Sequence, residues 1–144
     1  MNRVTPATRA LAERLIALEV GGKADDSKIP SAFPVCERLR PQLATLMGGL
    51  GFHILLSRAL AVALAEDPWL RMVQVEADGT LSALDEAKAI ENPEAMAQGS
   101  VVLVSHLLGL MVAFIGEALT LRLVHETWPT LSVSESDFRK GDKK

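Results

Sequence analysis

The sequence predicts a mainly α fold: a compact helical bundle with two long apolar core helices and one small β-hairpin at about 72–84. Three observations carry this. Ala95–Gly116, AMAQGSVVLVSHLLGLMVAFIG, contains no Asp, Glu, Lys or Arg. Its densest part, Val101–Ile115, is apolar on every side of a helix and so needs cover all round. A second charge-free run lies between Arg40 and Arg58. Between the two, MVQVEADGTL alternates at Val73 and Val75 and then reaches Asp78-Gly79, a two-residue hairpin signal.

The elements follow in order. Thr5-Pro6 is a helix start, a capping hydroxyl followed by proline in the first turn. Leu11, Leu15 and Leu18 then share a face, so residues 6–20 read as an amphipathic helix that Gly21-Gly22 stops. GGKADDSKIPSAFP (21–34) reads as loop. Residues 35–66 read as a long helix that Pro41 starts or kinks, because proline lacks the donor a helix interior uses. Asp67-Pro68 ends it. After the hairpin, Ser82 and Asp85 have the spacing of a capping box for a short helix at about 83–91. Asn92-Pro93-Glu94 starts the last helix, with Glu94 in the positive first turn. Gly99-Ser100 divides it into 93–98 and 100–126, and Trp128-Pro129 closes it. Residues 1–129 form a single α-rich domain, as expected for 144 residues. Residues 130–144 form a polar, mixed-charge tail.

Composition limits the partners. Hydrophobic residues make up 49 % of the chain and the mean hydropathy is +0.21, an apolar balance for a small protein with much surface per volume. A net charge of −3 with 4 % aromatic residues argues against nucleic-acid binding. The single cysteine, Cys36, cannot close an intrachain disulfide, which fits a reducing, cytoplasmic setting. The arginines around it could lower its thiol pKa, whereas its ordinary role would be a small buried residue.

Small residues recur inside the apolar helices. On a continuous helix Ser105, Gly109, Gly116 and Thr120 fall within about 60° of one another, and Gly48 and Gly51 lie in the earlier run. Glycine inside a helix costs roughly 1 kcal/mol against alanine, and close helix–helix packing would offset that. These six residues are the expected helix-packing positions. SRALAVALAEDPW (57–69) also aligns with GEALTLRLVHETW (116–128), placing Arg58 opposite Glu117. Because a buried charge without a partner is costly, an Arg58–Glu117 ion pair is expected, within a chain or between chains.

Catalytic chemistry finds little support. His106, in VSHLLGLM, resembles the phosphoacceptor segment of histidine kinases and the helix of histidine phosphotransfer domains. That resemblance covers a few residues and implies an exposed imidazole among polar groups. The kinase-type acid after the histidine is Leu107 here, and the lysine three residues beyond a phosphotransfer histidine is Gly109. His53 lies on a stripe with Arg38, Gln42, Thr45 and Gly49, a solvated face or a docking surface. No HExxH, CxxC or spaced carboxylate set points to a metal, no nucleophile elbow is present, and Gly48-Gly49-Leu50-Gly51 lacks the Gly-Lys-Ser/Thr of a phosphate loop.

The sequence therefore predicts a non-enzymatic interaction or regulatory protein without a cofactor, which self-associates, first of all as a dimer, or joins an unidentified protein partner. The alternatives are a membrane-associated helical hairpin, a degenerate histidine phosphotransfer module and a small-molecule-binding bundle. The 22-residue run is long enough to span a bilayer, but Gln98, Ser100, Ser105 and His106 interrupt it and Arg58 interrupts the other.

Overall fold

The computed structural model describes residues 6–20, 32–84 and 91–129. Helices α1 (Pro6–Val20) and α2 (Ala32–Glu66) lead into a 3-10 helix (Pro68–Met72). A two-stranded antiparallel hairpin comes next, β1 (Val73–Val75) and β2 (Leu81–Ala83). Helices α3 (Pro93–Ile115) and α4 (Glu117–Thr127) complete the described chain. The fold is mainly α, as the two apolar runs and the hairpin signal require.

The charge-free run becomes the centre of the bundle. Leu103, Val104, Ser105, His106, Leu107 and Leu108 are all buried. Six consecutive buried residues cover every direction of a helix, so α3 is surrounded, and α1, α2 and α4 all pack on it. From α1 come Leu11 and Leu15, from α2 Leu39, Leu43, Phe52 and Leu56, and from α4 Leu121 and Val124. Leu18, expected on the inner face of α1, is 42 % exposed.

The breaks fall elsewhere than expected. Pro41 sits inside α2 without interrupting it. The residue with non-helical angles is Gly48, at φ 83° and ψ 158°, a region essentially confined to glycine. The bend is large. A Cβ placed on Gly79 at the hairpin tip would lie 3.2 Å from Phe52 Cδ2 and 3.6 Å from Arg40 Cδ, although residues 40 and 52 would be about 18 Å apart along a straight helix. Helix α2 is thus a V with Gly48 at its apex and the hairpin tip between its arms. Likewise Gly99-Ser100 does not divide the last helix. Gly116 does, at φ 92° and ψ 157°, its N–H bonding to the Val112 carbonyl as α3 ends.

Other boundaries shift less. Ala32–Pro34, expected as loop, belong to α2. Asp67, besides ending α2, caps the 3-10 helix by accepting from the Trp69 N–H at 3.0 Å. In the hairpin the tight turn runs from Glu76 to Gly79, the Gly79 N–H bonding to the Glu76 carbonyl at 2.9 Å. Its central residues are Ala77 and Asp78, with Gly79 next at φ 89°, so Asp78-Gly79 is not a two-residue turn. Asp78 Oδ1 holds the corner by accepting from the Thr80 N–H and hydroxyl. Ser82, expected to cap a helix, is a strand residue whose hydroxyl bonds to Glu76. Most of the expected 83–91 helix, the 130–144 tail and Thr5 lie outside the described residues.

Candidate functional site

Two carboxylates tie the helices together. Glu66 ends α2, next to the Asp67-Pro68 stop. Its Oε1 lies 2.9 Å from His106 Nε2 and its Oε2 accepts from Arg9 Nη2 at 2.8 Å, joining α1, α2 and α3. The His106 side chain is 9 % exposed and that of Glu66 45 %. The bond to His106 and then the Arg9 guanidinium hold the Glu66 carboxyl below its ordinary range, against the opposing effect of partial burial. Glu19, near the end of α1, forms the second hub. Its Oε2 accepts from Arg38 Nε at 2.7 Å and from Trp128 Nε1 at 2.8 Å.

A carboxylate beside an imidazole is half of a general-base arrangement, which also needs a nucleophile in reach and donors for the developing oxyanion. Among the described residues no hydroxyl or thiol is hydrogen-bonded to His106. Buried Ser100 and Ser105 have hydroxyls with no hydrogen-bond partner among the described residues. The ring is enclosed and its Nε2 is engaged, unlike the exposed imidazole that the phosphoacceptor resemblance implies. Among the described residues no group of three or more His, Cys, Asp or Glu side chains is placed to hold a metal ion.

Comparison with known families and proteins does not alter this picture. No family model matches the chain, and neither a curated protein nor a solved structure matches it. The site must be read from its own residues.

The expected packing residues separate into three groups. Ser105 and Thr120 are buried; Thr120 donates to the Gly116 carbonyl at 2.7 Å, and Gly109 is half-buried. Gly48 and Gly116 are exposed, and a Cβ on either would meet nothing within 4 Å. Gly51 would meet the side chain of its own neighbour Met47. Because Gly116 breaks the helix, Ser105, Gly109, Gly116 and Thr120 do not form one stripe. A glycine in the helices that does permit a close approach is Gly99, where a Cβ would fall 2.4 Å from Trp69 Cε3. Its only trace in the sequence is a glycine inside a helical pattern, which reads equally well as a break.

Among the described residues no ion pair joins Arg58 and Glu117. Arg58 is exposed on the second arm of α2, and Glu117 opens α4 half-buried. Among the described residues, Glu66 with Arg9 and Glu19 with Arg38 are charges that meet between helices. Arg38, at one end of the expected Arg38–His53 stripe, serves this second pair, and Gly48 splits the stripe between two arms. Cys36 is buried, and burial first, then the nearby Glu37 charge, pushes its thiol up to about 12. The surrounding arginines do not lower it.

What remains open is the apex of α2. Leu46 is 47 % exposed, Leu50 74 % and Ile54 54 %. Thr45, Gly48 and Gly49 around them are exposed as well. In the most apolar 18-residue window of α2, 28 % of the residues are buried, against 61 % for α3. The burial shortfall expected of both apolar helices therefore falls mainly on α2; on α3 it is confined to the C-terminal end, where Phe114 is 55 % exposed.

Proposed function

We propose that the chain is a non-enzymatic α-helical interaction protein of the cytoplasm that self-associates, or joins a larger assembly, through apolar helical surface, with a twofold dimer as the first choice. The observation that carries this reading is the uncovered apex of α2, with Leu46, Leu50 and Ile54 in solvent on a charge-free run. Burying such a side chain stabilises by about 1.5–3 kcal/mol relative to leaving it exposed, so a second surface is strongly favoured there. Light scattering of the purified chain at micromolar concentration tests it. A dimer that Leu46→Glu with Leu50→Glu converts to monomer supports the reading, and a wild-type monomer overturns self-association.

A membrane-associated helical hairpin is the second reading. It is favoured by one observation: both α2 and α3 are long and apolar enough to cross a bilayer. Fractionation without detergent separates the two, since a membrane hairpin stays with the lipid pellet.

A further inference from the structure

The strongest unexplained feature is the coincidence of a helix break, open space and exposed apolar side chains at one point. Gly48 is the one residue of the 35-residue α2 with non-helical angles. It is exposed, and no atom outside its immediate neighbours lies within 4 Å of where its Cβ would be. The bend is held at a distance, by contacts between the segments on either side of Gly48: Arg9 with Glu66, Glu19 with Trp128, and Arg40 with the hairpin tip.

We propose that Gly48 is an exchange hinge: in the self-associated form α2 straightens into one continuous helix, and the segment before Gly48 packs on a second copy of the chain. This rests on the self-association reading and specifies how it happens. Every contact across the bend can be remade between two chains with the same atoms, so exchange alters little beyond the hinge. At the hinge the backbone completes the helical hydrogen bonds that the bend interrupts. In a continuous helix at 100° per residue, Leu46, Leu50 and Ile54 fall within about 80° of one another, a single stripe that the bend now divides between two arms.

The second copy is the occupant that the sequence around the hinge fits. In a twofold exchanged dimer each chain crosses from one lobe to the other at its hinge, so the two straightened segments run past one another at the axis. The charge-free stretch from Pro41 to Ser57 is centred on Gly49. In the straight helix Gly49 lies about 60° from Leu46 and about 100° from Leu50, a small residue flanking the stripe near the point where two helices would cross. The arginines that bound the stretch, Arg40 and Arg58, stay away from its middle.

A cross-link decides the matter. Arg9 and Glu66 are partly exposed, at 38 % and 45 %. Each is replaced by cysteine in a Cys36→Ala background, and the folded protein is treated with a short bis-maleimide. Exchange predicts a covalent dimer on a denaturing gel. A protein that light scattering shows to be dimeric, but that cross-links within single chains, overturns exchange and leaves self-association standing. A monomer overturns both. Independently, Gly48→Ala penalises the bent form, because a side chain disfavours positive φ, and should raise the dimerisation constant by roughly tenfold per hinge. An unchanged constant overturns the hinge.

Discussion

Trp128 Nε1 donates to Glu19 Oε2 at 2.8 Å, closing a loop of 109 residues between the end of α4 and the end of α1. The same oxygen accepts from Arg38 on the first arm of α2, so one carboxylate fixes three helices. Trp128 is 4 % exposed and the Glu19 side chain 12 %. Trp128→Phe removes the donor and part of the ring, and should cost about 1–3 kcal/mol in urea unfolding followed by circular dichroism. Combined with Glu19→Gln in a double-mutant cycle, it should show a coupling of about 0.5 kcal/mol or more. Strictly additive effects would mean that the bond contributes nothing.

Glu66 makes stability depend on acid. Its folded pKa lies below the ordinary 4.5 because His106 and then Arg9 favour the carboxylate. A depressed folded value contributes stability that is present above 4.5 and is lost as pH falls through the folded value. Thermal unfolding of the wild type should therefore shift downward below that point. Glu66→Gln, which keeps an acceptor but cannot ionise, should start less stable at neutral pH and lose less on acidification. Parallel curves for the two proteins would remove Glu66 from the acid response.

The sequence shows where helices form better than where they bend. Pro6, Pro93 and the Asp67-Pro68 stop are local signals, acting through capping and the missing proline donor, and they place helix ends correctly. The bends at Gly48 and Gly116 depend on what packs at a distance. A glycine in an apolar run is compatible with a tight helix contact, a kink or an open hinge, and the chain contains all three, at Gly99, Gly116 and Gly48. The hubs at Glu19 and Glu66 were illegible for the same reason. Glu19 meets Trp128, and Glu66 meets Arg9 and His106, across sequence separations no local pattern encodes. The Arg58–Glu117 expectation came from aligning two short helical segments; among the described residues of one chain Arg58 is exposed on α2 and Glu117 half-buried at the start of α4, and they do not pair within it.

Gly99 gives a sign test for close approach. Alanine is the better helix former by about 1 kcal/mol, so an uncrowded site would gain stability. At Gly99 the added Cβ would fall 2.4 Å from Trp69 Cε3 and 3.0 Å from Cζ3, and overpacking of this kind costs about 1–3 kcal/mol. Gly99→Ala should therefore lower the thermal midpoint. In a Trp69→Leu background, with the ring gone, the same change should become neutral or stabilising. Stabilisation in the wild-type background would show that the ring has room to move.

Cys36 provides a probe of how α2 opens. Its side chain is 2 % exposed and its thiol, pushed up to about 12 by burial, holds little thiolate at neutral pH. The thiolate is the reactive form, and a rise from 9.0 to about 12 lowers its fraction roughly a thousandfold. Native protein should react with a maleimide orders of magnitude more slowly than protein in urea. The residual rate should track opening of the first arm of α2, so Gly48→Ala, which strains the bend, should accelerate it, while Gly99→Ala, on the far side of the hinge, should act only through global stability. Prompt labelling of the native wild type would place Cys36 at the surface and contradict its packing beside Leu39.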